Sequence, residues 1–195
     1  MLSEIIKNIA LILDDQQVLE YLDYNQTFTQ NNSEETIKQP KNIDMYIALT
    51  NFVLTDIAQN FLCYKCTQDL LSDTDGKIKL ADFLHVPCSI KCIKNDEGKK
   101  VRFYITDDDL VVDEAGKLYF VEYAFLPDAL SSLDDSVLLP IGLDIKTLVY
   151  GVVSEYLATK MQYTEANIWE QKFKQGLKNM LRRYRDLRVA YRSLI

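Results

Sequence analysis

The chain has 195 residues, 48% of them apolar and 26% charged, with a formal net charge of −7 and four cysteines. That length and balance exclude a disordered or collagen-like chain, and the acidic total argues against a dedicated nucleic-acid binder while leaving room for a local basic contact. Residues 9–13 lack the length and positive flank of a secretion signal, and no apolar run approaches the ~20 residues of a membrane span. Neither secretion nor a membrane span is expected, and the thiols are expected to be free in a reducing compartment.

Ser3-Glu4 opens a predicted helix over residues 1–22, with Ile5, Ile9, Ile12 or Leu13, Val18 and Leu22 at loose helical spacing. Residues 23–42 are polar and amide-rich, the composition of a loop or arm. A second helix is predicted over 43–71 from Tyr46, Ile47, Phe52 or Val53, Ile57, Phe61 and Leu62, ending at the Asp73–Gly76 turn. The period then changes. Residues 87–93 and 100–106 read as a hairpin around Asn95-Asp96-Glu97-Gly98, and 110–113 and 117–125 as a second pair joined by Glu114-Ala115-Gly116. Together they predict one antiparallel sheet of four strands over residues 86–126. Pro127 ends it and a polar loop follows. Residues 143–195 read as two helices, broken near Tyr163-Thr164-Glu165. The expected architecture is α+β: a single domain whose terminal helices pack together, with the sheet inserted between them and a long basic helix at the end.

Cys63 and Cys66 form a CxxC and Cys88 and Cys92 a CxxxC, the raw material of a tetrahedral zinc site. Cys63 and Cys66 fall in a helical pattern, and Cys88 and Cys92 on a strand would lie apart. Small apolar side chains are the plainer reading. Asp73, Asp75, Gly76 and Asp82 resemble the middle of a calcium loop whose first position would be Leu71, so a turn is the better reading. Asp107, Asp108 and Asp109 read as a solvated hairpin end. His85 is the only histidine, and no G-x-S-x-G, Walker-type or G-x-G-x-x-G run is present. No metal, no cofactor and no enzymatic activity are expected.

The strongest signal is a charge split. Residues 172–195 hold eight basic side chains and one acidic, whereas the other 171 residues hold 14 basic and 28 acidic. Lys172, Lys174, Lys178, Arg182, Arg183, Arg185, Arg188 and Arg192 flank an apolar stripe of Trp169, Phe173, Leu177, Met180, Tyr184, Leu187, Tyr191 and Leu194. These basic residues, with Tyr191, are candidates for docking on an acidic partner. Gly176 in mid-stripe costs ~1 kcal/mol of helix propensity unless a close backbone approach offsets it, which also favours a partner.

From Thr50 onward the order of segments is that of a known kind of protein. TNFVLTDIAQNFL, KIKLADF, VPCSIKCIKNDEGKKVRFYI, KLYFVEYAFLPD and LPIGLDIKTLVYGVVSEYLATKMQYTEANIWEQKFKQGLKNMLRRY resemble head-to-tail connector (adaptor) proteins of tailed bacteriophages. The resemblance covers about 145 residues and is one of pattern and order. It implies a non-enzymatic virion neck protein, made in the bacterial cytoplasm, that forms a homo-oligomeric ring below the portal. The basic helix would dock on the portal, and Asp107, Asp108 and Asp109 would line a channel through which DNA passes without sequence-specific binding. The alternative is a small zinc- or nucleic-acid-binding module using the four cysteines and the basic helix.

Overall fold

A computed structural model of the chain describes residues 2–28 and 38–189. These divide into two compact units: residues 1–57 with 129–195, and residues 58–128. Helix and sheet segregate, so the class is α+β, and the middle of the chain expected as a sheet within a single domain forms the second unit.

The first unit is helical. Helix α1 (Leu2–Leu13) and α2 (Gln16–Phe28) replace the single predicted N-terminal helix. Asp14 takes a left-handed conformation (φ 53°), and the Asp15 carboxylate caps α2 by accepting the Val18 amide at 3.3 Å. The same carboxylate accepts from Asn42 Nδ2 and the Tyr46 hydroxyl, each at 2.8 Å, tying this corner to α3 (Lys41–Asn60). Burial, then the Asp15 contact, pushes the Tyr46 hydroxyl strongly up from its ordinary value. Helix α2 also takes up the first residues of the predicted polar arm, of which residues 29–37 lie outside the described residues.

Helices α4 (Ile145–Thr159) and α5 (Tyr163–Val189) complete the unit. Helices from both ends of the chain therefore share one core: Ile5, Ile6 and Ile9 of α1, Tyr46 and Leu54 of α3, Leu148 and Val152 of α4 are all buried. The polar loop after Pro127 is ordered by Asp135, whose carboxylate accepts the Ser131 and Ser132 amides. Its backbone in turn receives the Leu2 and Ser3 amides at the start of α1.

The second unit corrects the predicted sheet. It contains six strands: β1 (Tyr64–Leu71), β2 (Lys77–Lys79), β3 (Pro87–Lys94), β4 (Phe103–Thr106), β5 (Asp109–Val112) and β6 (Leu118–Phe125). They form two three-stranded antiparallel sheets, ordered β1-β6-β3 and β2-β5-β4. The predicted helix over 43–71 stops at Asn60, and its residues from Tyr64 to Leu71 are β1. Tyr64, Cys66, Gln68 and Leu70 alternate inward while Lys65, Thr67, Asp69 and Leu71 are exposed.

Both predicted turns exist, yet neither joins partners. At Asn95–Gly98 the Gly98 amide returns to the Asn95 carbonyl at 2.9 Å, with Gly98 at φ 75°. Its arms meet only at a Lys94–Lys100 bridge and a Val101 to Ile93 hydrogen bond before β4 departs to pair with β5. The strands flanking Glu114–Gly116 likewise go to different sheets. Ile78, Ile93, Leu110, Val121 and Tyr123 from both sheets, with Phe83 from the segment between β2 and β3, make one core.

Candidate functional site

Helices α4 and α5 form an antiparallel pair by an exchange of glycines. Asp144 caps α4 by accepting the Thr147 amide at 2.7 Å, and Thr147 is buried against Gly176 of α5, where an added Cβ would lie 2.6 Å from Thr147 Cγ2. Gly151 of α4 receives Phe173 of α5, whose Cε2 would stand 3.0 Å from a Cβ there. The buried Ser154 hydroxyl donates to the Ala166 carbonyl at 3.0 Å. The close approach anticipated from Gly176 is thus made within the chain, and Gly176 carries no argument for a partner.

The seam of α5 is Ala166, Phe173, Leu177 and Met180, all buried. Met180 lies beside Gly142, just ahead of α4, with its Cγ 3.6 Å from where a Cβ would be. Helix α5 continues through Val189, so its nine residues from 181 onward extend about 13 Å beyond that contact.

The basic candidates separate by position. Lys172 sits over the Trp169 ring, 3.7 Å from its centroid, with Tyr150 beside it. Lys174 pairs with Glu170 at 2.5 Å, one turn back. Lys178 and Arg182 are exposed and make no ion pair among the described residues. Arg183, Arg185 and Arg188 belong to the last turns of α5, and their side chains, together with Tyr191 and Arg192, lie outside the described residues. Two basic residues inside the described part are therefore used locally, and Lys178 and Arg182 stand out toward solvent four residues apart.

The acidic candidates form the β4–β5 turn. Asp107 has φ 40°, and Asp107 and Asp108 are exposed. Asp109 is spent on Lys77 of the neighbouring strand at 3.5 Å, and the Asp108 carbonyl accepts the Leu80 amide at 2.9 Å. Two of the three carboxylates thus face water.

The cysteines do not converge. Cys63 precedes β1 and Cys66 lies within it, so the expected helical placement is corrected. Cys66 stands opposite inward-facing Tyr123, whereas Cys92 stands opposite Glu122 on the other face of β6, one strand away on each side. Two strand spacings put them about 10 Å apart. All four are free thiols, and no three His, Cys, Asp or Glu side chains group as metal ligands among the described residues. Asp73 serves a turn: its Oδ1 accepts the Asp75 and Lys77 amides, each at 2.8 Å, and these bonds hold its carboxyl below the usual range.

Two features had no signal in the sequence. His85 stacks on Phe125 (4.1 Å between centroids, 6° between planes) with Nδ1 3.3 Å from Asp128 Oδ2, off the direction of a hydrogen bond. In the helical unit, α1, α4 and α5 enclose a groove of about 450 Å³ lined by Ile12, Leu13, Tyr156, Lys160, Glu165 and Trp169 among others. Within α4, partial burial and then the neighbouring Asp56 and Glu170 push the Glu155 carboxyl up.

No helix among the described residues is long and apolar enough to cross a membrane. No protein-family model and no curated protein sequence matches the chain.

Proposed function

We propose that the chain is a structural, non-enzymatic protein of a tailed-phage neck, assembling as a homo-oligomeric ring below the portal and linking head to tail around the DNA channel. The observation that supports this reading is the division of labour along α5. Its apolar seam is buried as far as Met180, while Lys178 and Arg182 remain exposed and the helix runs on to Val189. A helix anchored at one end and basic at the other suits an acidic docking surface on the portal or a neighbouring neck protein. Asp107 and Asp108 supply exposed negative charge of the kind a DNA channel needs, since adhesion to DNA comes from Lys and Arg on phosphate.

Light scattering of the protein mixed with portal tests the reading. A stable complex that weakens with salt, and weakens further in Lys178→Glu/Arg182→Glu, is expected. A chain that stays monomeric and ignores the portal sinks it. The rival zinc module lacks a converging ligand set among the described residues; one zinc per chain, lost in Cys63→Ser, would revive it.

A further inference from the structure

Strand β4 ends its sheet, and on the side away from β5 it has no ladder among the described residues. The chain follows β3 only as far as Val101 and then parts from it. What it leaves open is apolar: Tyr104 and Ile105 are 61% and 51% exposed, on opposite faces of the strand. Edge strands are ordinarily guarded by a charge, a proline or a bulge in their middle. Here the charges stand at the ends and differ in sign. Lys100 and Arg102 precede the strand, Asp107 and Asp108 follow it, all are exposed, and none makes an ion pair among the described residues.

This pattern is self-complementary in one orientation. Two copies of β4 laid antiparallel, centred on Tyr104 and Ile105, bring Lys100 and Arg102 of each toward Asp107 and Asp108 of the other. A parallel arrangement would set like charges together. We infer that β4 is a docking edge for a second copy of this chain, pairing antiparallel about a two-fold axis to join two three-stranded sheets into one of six. Such a contact closes on itself and builds no ring, so it describes the free protein. It is separate from the α5 docking proposed above and needs no other protein.

The test is sedimentation equilibrium of the full chain over a concentration series at about 0.05 M and about 0.5 M salt. The wild type is expected to reach dimer mass at high concentration, with a dissociation constant at least ~10-fold larger in high salt. Lys100→Glu/Arg102→Glu and, separately, Asp107→Asn/Asp108→Lys are expected to stay monomeric, Asn being tolerated at the positive φ of residue 107. Mixed in equal amounts, the two variants restore the dimer as a heterodimer. Circular dichroism spectra and thermal midpoints matching the wild type show that both are folded. A monomeric wild type, variants that dimerise unchanged, or a folded pair that does not recombine each overturns the inference. The first variant leaves α5 untouched, so its binding to portal reports on the neck reading independently.

Discussion

Thr147 of α4 fills the space in which residue 176 of α5 would carry a Cβ, so the two helices meet through a side chain on one and bare backbone on the other. Four residues along α4, Gly151 repeats the arrangement in reverse against Phe173. The pair is therefore locked in register at two points, and a shift of α5 by one turn would lose both.

Gly176→Ala is expected to destabilise the helical unit by about 1–2 kcal/mol in urea unfolding, because the overlap with Thr147 outweighs the ~1 kcal/mol gain in helix propensity. Thr147→Ala removes Oγ1 and Cγ2, the two atoms nearest the added Cβ. The double variant should recover most of the loss, and a cycle without coupling would show that the contact is not tight.

Asp15 performs three tasks at once, so Asp15→Ala is expected to cost about 2–3 kcal/mol, from the lost cap and from the stranded Tyr46 hydroxyl. Tyr46→Phe removes one hydrogen bond and costs about 1 kcal/mol at neutral pH. The Tyr46 hydroxyl is shifted up in the folded state, so the wild type loses stability as pH rises above about 10, where the unfolded tyrosine ionises. The gap between wild type and Tyr46→Phe should then narrow, as read from urea midpoints across that range.

Asp73 and Asp135 are both held below the ordinary carboxyl range, chiefly by backbone amides. Their contribution is complete above the unfolded value of about 3.9 and is lost as pH falls through the lower folded values. Asp73→Asn and Asp135→Asn should lower the thermal midpoint at neutral pH, with the difference vanishing toward strong acid. A constant difference across pH would assign the effect to shape instead of charge.

Glu155 runs the other way. Partial burial and the neighbouring Asp56 and Glu170 disfavour its charge, so stability declines as pH rises from the unfolded value of about 4.3 through the raised folded one. Glu155→Gln should raise the thermal midpoint at pH 7 and leave it unchanged near pH 3.5. No gain at pH 7 would mean that solvent already screens the three carboxylates.

Lys172→Met removes the cation above the only tryptophan, with an expected loss of about 0.5–1 kcal/mol. Trp169 emission should change in the folded state and match the wild type after unfolding. Identical folded spectra would place the ammonium elsewhere.

The parts legible in the sequence were those where one physical signal acted alone. The seam of α5 followed from spacing, since Phe173, Leu177 and Met180 recur at helical intervals and are all buried. The turns at Asn95–Gly98 and Glu114–Gly116 followed from turn chemistry. Partner choice did not, because Gly98 fixes a reversal of direction and says nothing of which strand continues beside which. β1 was hidden because Phe61 and Leu62 prolong the helical spacing of α3 while inward-facing Cys66 and Gln68 blur the period of two. Gln68 faces inward because its amide holds the next loop, accepting from the Leu84 amide and the Tyr123 hydroxyl. The split between α1 and α2 was hidden for a related reason: Asp14 and Asp15 make it without glycine or proline. Of the docking candidates, the charge count was legible, but not that Lys172 and Lys174 would be engaged by Trp169 and Glu170.

Strand β6 is the last strand of its unit in the chain and the central one of its sheet, flanked by β1 and β3. During synthesis neither neighbour has its partner until residue 125 has emerged, so β1 waits through more than forty residues of chain with both edges open. The helical unit waits longer, since α1 to α3 must hold until α4 and α5 arrive. The order of completion is nested: the unit that begins second closes first, inside the unfinished folding of the one that encloses it.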